Sequence, residues 1–317
     1  MKAIELSKYG APENLQIKEL EKPAPKENEV LIKIHATTVT SGDARMRRAD
    51  PFIIRFIFGF KRPRKPILGV VVAGEIEAIG KTVSTYKTGD QVFGSTGMNF
   101  GAHAEYVCVP ENAVLALKPV NMSYEEAAAI PFGATASMHF LRLANIQKGQ
   151  KVLINGASGA LGTMAVQLAR NYGAELTAVC SSSNFELVKS LGANHVIDYT
   201  REDFSRNGIR YDVIFDTVGK ISIWKAIRSL NKKGHLLLAS AGIGTMIGGS
   251  FVSLFTGKKI KSGVIKETIE DMKYFRQEIE AGKLKAVVDH TYSLEDLAEA
   301  HTYVDQGHKK GNVVITV

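Results

Sequence analysis

Cysteine is almost missing from this chain: only Cys108 and Cys180 occur in 317 residues, each inside an apolar strand-like run (YVCV and LTAVC) and neither in a C-x-x-C pair. Two thiols placed in this way exclude a disulfide scaffold and cannot build a four-cysteine metal site. No apolar stretch reaches the length needed to cross a bilayer, and the opening MKAIELSKYGAPENL has neither a continuous apolar core nor a cleavage pattern. The expected compartment is therefore cytoplasmic, with no integral membrane segment. Zinc-finger spacings, glycine–aromatic RNA motifs, basic heptads, low-complexity tracts and internal repeats are also lacking. The formal net charge of +8 would suit an anionic ligand, yet Lys and Arg are spread along most of the chain, so no nucleic-acid partner is expected.

What remains is the composition of a folded enzyme, 45% hydrophobic and 23% charged, in a chain longer than one core usually supports. Up to about Val120 the sequence reads as short strands, Val30–Ala36, Gly69–Ile79, Gln91–Phe93 and Ala104–Val109, broken by Gly, Pro and Asn. Ser123 and Glu126 have capping-box spacing ahead of a helix-forming AAA. From Lys151 the pattern becomes strand, glycine turn and helix (KVLIN, GASGALG, TMAVQLARNYG), and further strand and helix segments follow it. That alternation predicts a doubly wound parallel sheet, so the fold class is α/β. Lys261–Val264 reads as its last strand, Glu267–Ala281 as a helix closed by Gly282, and Ser293 with Asp296 as the opening of another. The terminal GNVVITV is strand-like and must pair somewhere, most naturally back in the β-rich part. The expected domains are 1–122 with 265–317, and 123–264.

Gly156, Gly159 and Gly162 lie directly between a strand and a helix, where unpaired helix N–H groups attract a diphosphate provided that side chains leave the approach open. Their GxxGxxG spacing is weak alone, and the surrounding βα units strengthen it. Ser158, Ala160 and Leu161 complete the predicted turn. At the end of the second strand an acidic residue would select NADH; Ser181, Ser182, Ser183 and Asn184 stand there instead, which favours NADPH. A solvated strand end is the competing reading, since the tetrad contains no cation.

The two-part order, GASGALG, SLGANHVIDY, DTVG and GNVVITV resemble the medium-chain dehydrogenase/reductase superfamily, in its zinc-independent quinone oxidoreductase branch. The resemblance implies a GroES-like barrel beside the Rossmann domain, a nucleotide cleft between them and a homodimer joined edge to edge. By the same resemblance, Thr40, Val70, Val71 and Pro131 stand where zinc-using relatives have Cys, His, Glu and Cys, so no metal is expected. Thr135 is placed near the nicotinamide, Tyr199 beside the adenosine phosphate, and Gly242 and Asn312 toward the nicotinamide end. Thr135 and Tyr199 also suit purely structural roles.

Without a Lewis acid, hydride acceptance by a quinone or an α,β-unsaturated carbonyl is easier than alcohol oxidation, and a few hydrogen-bond donors can stabilise the developing charge. Thr40 or Ser41 is the expected donor, with capping of the following helix as an equal alternative. Asp43 reads as a helix-dipole partner rather than an acid. Arg45, Arg47 and Arg48 either approach the cofactor phosphates or line a solvated face. PFIIRFIFGFKRPRK, Pro51–Lys65, is open to three readings: a lid for a hydrophobic substrate, a contact with anionic lipid, or a loop packed on its own domain. A second apolar stretch, Thr245–Phe255, suits a cleft cover or an oligomer contact. The expected function is an NADPH-dependent reductase of quinones or enones; the alternative is a nucleotide-binding, low-turnover protein with a membrane-associated or redox-sensing role.

Overall fold

The computed structural model describes residues 1–240, 253 and 256–317, which form two compact units, Met1–Phe132 with Thr268–Val317 and Gly133–Glu267. Gly242 and all but one residue of the stretch Thr245–Phe255 lie outside the described residues.

The first unit is a β-body. A hairpin-like pair, β1 (Lys2–Leu6) and β2 (Leu15–Glu19), stands beside a seven-stranded sheet built from β3 (Glu29–Val39), β4 (Val71–Ile79), β5 (Gln91–Ser95), β6 (Tyr106–Pro110), β7 (Val114–Leu117), β14 (Val288–Ser293) and β15 (Asn312–Thr316). The period-2 rule shows in β3, whose Val30, Ile32 and Ile34 enter one apolar cluster with Val72, Ile76, Val92, Val109 and Leu115. The C-terminal strand returns to this unit: β15 runs antiparallel to β3, with Val313 opposite Val39 and Ile315 opposite Thr37. Helix α1 (Ser41–Arg48) follows β3, and α2 (Ile54–Phe58) comes soon after. The predicted capping box opens α3 (Tyr124–Ala128): Ser123 Oγ accepts from Glu126 N, and the Glu126 carboxylate accepts from Ser123 N.

The second unit is the parallel sheet, in the order β10 (His195–Asp198), β9 (Glu175–Cys180), β8 (Lys151–Asn155), β11 (Tyr211–Asp216), β12 (Leu230–Leu238), β13 (Lys259–Ser262). Strand order reverses between β8 and β11, so the C-terminal end of β8 is the switch point at which such sheets bind ligands. Helix α4 (Pro131–Ala144) leads into the sheet, and α5 (Ala160–Asn171) and α6 (Phe185–Leu191) follow β8 and β9.

Three boundaries depart from the sequence reading. The last strand is Lys259–Ser262 rather than Lys261–Val264, because it is an edge strand whose lysines face solvent and its apolar signal is thin. The long helix runs Ile269–Glu280, opened by Thr268 rather than at Glu267. The final helix starts only at Leu297, because Ser293 spends its hydroxyl on Asp296 Oδ2 at 2.6 Å.

Arg47 corrects the arginine expectation. It neither lines a solvated face nor is free for phosphates: it is buried, donating through Nε to His301 Nδ1 at 3.3 Å and pairing with Asp305 and the Gly10 carbonyl. Arg48 joins the same Asp305. Beside this lies a second buried imidazole, His103, whose Nε2–H donates to Thr38 O at 3.2 Å and whose ring meets that of His301 edge-on at 5.9 Å. Burial pushes both imidazoles below their ordinary 6.5, His301 well below. The unfolded chain takes up protons at these sites near 6.5 while the folded chain does not, so falling pH favours unfolding. The stability these groups contribute should therefore be lost progressively over the acid interval below about pH 6.5. Denaturant midpoints measured across that interval check this, and a flat profile contradicts it.

Candidate cofactor site

The glycine turn is shaped by two glycines that the fold itself requires. Gly156 has φ +79°, and a Cβ there would lie 2.2 Å from Val218 Cγ2. A Cβ on Gly162 would lie 2.1 Å from Gly156 O and 2.6 Å from Ala157 Cα, so α5 packs directly on the turn that precedes it. The DTVG tetrapeptide locks this arrangement. Asp216 accepts from Asn155 Nδ2 (3.0 Å), Val218 N (3.1 Å), Gly219 N (3.1 Å) and Ile221 N (3.2 Å), while Thr217 Oγ1 donates to Asn155 O at 2.8 Å.

Gly159 differs from both. It is the N-cap of α5 with ordinary extended angles (φ −80°, ψ 177°), and a Cβ there would meet only Gly156 O, at 3.6 Å. Nothing in the protein's own packing asks for glycine here. What the missing side chain leaves open is the approach to the first-turn N–H groups of Ala160, Leu161 and Gly162, which Gly159 does not cap. An open, uncapped start of a twelve-residue helix at a switch point fits the diphosphate of a dinucleotide.

The end of β9 is tied to this turn. Asn184 is buried and donates from Nδ2 to Ser158 Oγ (3.2 Å) and Ser181 Oγ (3.1 Å), joining the glycine loop to the serine run; its Oδ1 is buried without a hydrogen-bond partner. Ser181 and Ser183 hydroxyls lie 3.1 Å apart. The parallel register sets Asp198 opposite Cys180, so residues that follow β10 stand beside those that follow β9. Hydrogen bonds from Thr200, and then from Ser182, hold the Asp198 carboxyl below its usual range. Arg201 Nε lies 3.8 Å from Asp198 Oδ2, and its side chain is 81% exposed. No spacing in the sequence points to Arg201, since the serine tetrad itself holds no cation; the register of two parallel strands brings it near Asp198. Tyr199 is exposed next to Asp198.

The remaining predicted residues are placed separately. Thr135 is buried in α4 and donates to Glu267 Oε1 at 3.2 Å. In the first unit Asn312 is buried and donates to Ala129 O (2.8 Å) and Val287 O (3.2 Å), contacts that hold the start of β15. Thr40 caps α1: its Oγ1 accepts from Asp43 N at 3.1 Å and donates to Asp43 Oδ2 at 2.6 Å, while Asp43 also accepts from Thr40 N. Its hydroxyl hydrogen is therefore engaged within the cap, and Asp43, expected as a helix-dipole partner, closes that cap. Ser41, the next residue, is exposed.

The family profile described as alcohol dehydrogenase GroES-like domain matches residues 26–119, and the one described as zinc-binding dehydrogenase matches residues 191–315. A 2-methylene-furan-3-one reductase from Solanum lycopersicum is 32% identical, over 99% of this chain and 79% of its own. The chain belongs to the medium-chain dehydrogenase/reductase superfamily, in its quinone oxidoreductase-like branch. A chloroplastic NADPH-dependent alkenal/one oxidoreductase of Arabidopsis thaliana shows the same 32% identity and the same coverage. Among solved structures of this superfamily, the quinone oxidoreductase from Coxiella burnetii superposes with a TM-score of 0.89 at 26% identity, covering 100% of this chain and 99% of that one.

Zinc, which one profile description names, does not fit the donors present. Val70, Val71 and Pro131 have no ligating side-chain atom, and the Thr40 hydroxyl is held in the α1 cap. Among the described residues no group of three or more His, Cys, Asp or Glu could hold a metal ion, and no helix is long and apolar enough to cross a membrane.

If Gly162 is glycine because of this close approach, Gly162→Ala should destabilise the protein by about 1–3 kcal/mol. Urea unfolding measures this, and an unchanged midpoint contradicts the packing account.

Proposed function

We propose that this protein is an NADPH-dependent reductase of quinones or α,β-unsaturated carbonyl compounds that works without zinc. The observation that carries the reading is Gly159, a position where the fold has room for a side chain and where its absence leaves the uncapped start of α5 open to a ligand. Similarity to relatives named as alkenal and quinone oxidoreductases supports the substrate class.

In this reading the backbone N–H groups of Ala160, Leu161 and Gly162 hold the diphosphate, and Gly156 and Gly159 keep its approach clear. The Ser181 hydroxyl, with Arg201, takes the 2′-phosphate, while Ser182 is held by Asp198; among the described residues Arg201 is exposed and pairs with that one carboxylate at 3.8 Å, so it can turn to a phosphate at small cost. Asn184 positions Ser158 and Ser181 rather than touching the nucleotide first. Tyr199 lies beside the adenosine phosphate, and Thr135, oriented by Glu267, lies near the nicotinamide. When bound, the reduced nicotinamide supplies a hydride. The protein's part is to orient the acceptor, keep water away and stabilise the oxygen on which charge develops. Ser41 is the donor to that oxygen, because its hydroxyl is exposed while that of Thr40 is committed to Asp43. A homodimer joined along the edges of the parallel sheets belongs to the same proposal; among the described residues those edges are β10 and β13.

Two experiments test these assignments. Gly159→Ala should lose no more than the roughly 1 kcal/mol of an N-cap change yet bind NADPH about tenfold or more weakly, and Arg201→Ala should lose about tenfold in NADPH affinity with NADH little changed. Nicotinamide fluorescence titration reads both; equal affinity of wild type and Gly159→Ala would remove the ligand explanation for that glycine. For the chemistry, NADPH absorbance followed with a panel of quinones and enones should show turnover that falls by about 10²-fold in Ser41→Ala. Tight nucleotide binding with no turnover on any member would instead describe a nucleotide-binding protein of the same fold.

A further inference from the structure

The segment from Pro51 to Lys65 contains five cations and no carboxylate. Its helix α2 is apolar on both sides. Inward, Ile54 and Phe58 pack against the core cluster around Met46, Leu68 and Phe100, with Phe58 meeting Phe100 edge-on at 5.7 Å. Outward, Phe52, Phe56, Ile57 and Phe60 are 59%, 61%, 58% and 61% exposed. Phe52 and Phe60 flank α2 and Phe56 lies within it, and their three rings pack edge-to-face at 5.8, 5.9 and 6.5 Å. The result is a preformed aromatic knob rather than scattered surface side chains, an arrangement that marks an interaction site.

The cations beside the knob divide into two kinds. Arg55 is half-buried, 5.5 Å from the Phe52 ring and 4.9 Å from the Tyr9 ring, and donates to Phe60 O at 3.2 Å, so it braces the knob from within. Lys61, Arg62, Arg64 and Lys65 are exposed, with Lys65 donating to Asn99 Oδ1 at 2.8 Å. The hollow next to them measures about 210 Å³ and is lined by Ile57, Phe58, Arg64, Lys65, Met98 and Phe100. That is below the roughly 300–1,000 Å³ of pockets that enclose a small organic ligand, and none of the three outward Phe rings lines it.

Charge complementarity selects the occupant. A second copy joined through this face by a two-fold axis would set four exposed cations against four others. An anionic bilayer offers the opposite sign together with an apolar layer just beneath its headgroups, where aromatic rings settle while Lys and Arg reach lipid phosphates. We propose that the Phe52–Phe56–Phe60 knob and the Lys61–Lys65 cationic band seat this protein on the surface of an anionic phospholipid membrane, without crossing it. This inference does not depend on the reduction chemistry proposed above.

The test is co-sedimentation of the full chain with vesicles of phosphatidylcholine alone and of phosphatidylcholine mixed with phosphatidylserine. Wild type should bind the mixed vesicles about tenfold or more tightly than the neutral ones, and rising salt should weaken that binding. Phe52→Ser/Phe56→Ser/Phe60→Ser and Lys61→Gln/Arg62→Gln/Arg64→Gln/Lys65→Gln should each lose about tenfold in binding to mixed vesicles, with thermal midpoints near wild type as the control for folding. The charge variant alters only exposed side chains and stands as a second test should the knob variant fold poorly. No vesicle binding by wild type, or binding indifferent to phosphatidylserine and salt, overturns the proposal. So does a knob variant that changes the Michaelis constant for large acceptors, or converts a dimer to a monomer, while vesicle binding stays the same.

Discussion

The close approach of Gly162 to Gly156 O, which leaves no room for a Cβ, is the constraint around which the second unit is organised. A chain leaving β8 must turn within a few residues into α5, and the helix must then lie against its own entry turn at a distance that admits no side chain. Once it does, the start of α5 is held at the point where strand order reverses. Asp216 fixes that turn from β11, and Asn184 fixes it from the end of β9, so elements distant in sequence converge on the same few backbone groups. Asp216, Thr217 and Asn184 take up polar groups around the turn while the first-turn N–H groups of α5 have no side-chain cap, which is what a preorganised anion site requires.

Much of this was legible before any coordinates. The alternation of apolar strands with helices announced the parallel sheet, and the glycine spacing directly after KVLIN announced the turn, because both depend on local patterning. The capping boxes at Thr40 and Ser123 are equally local: a hydroxyl residue followed three positions later by an acid. What was not legible depends on register and burial. Arg201 reaches Asp198, and Asp198 the serine run, because β9 and β10 are parallel and in register, a fact that no spacing along the chain encodes. Arg47 looked like one of three surface cations on a short helix, yet it is buried against His301, more than two hundred positions away. The edge strand Lys259–Ser262 was misplaced because an edge needs only half an apolar face.

Metal chemistry and hydrogen-bond chemistry make different demands on the same turn after β3. A zinc site needs soft or nitrogen donors, with second-shell groups to orient them. Here Thr40 and Asp43 close on each other as a helix cap, so this position has been given over to holding α1 in place. The acceptors best suited to such a protein are those whose own conjugation carries charge away from the reacting carbon, so that one or two neutral donors suffice.

The central claim, that the mouth of α5 grips the diphosphate of a pyridine nucleotide, is tested most directly by calorimetric titration of the unmodified protein with NADPH. The account predicts saturable binding at one site per chain, weakened by added adenosine 2′,5′-bisphosphate competing for the same place. Absence of measurable heat and of affinity for both NADPH and NADH would contradict it.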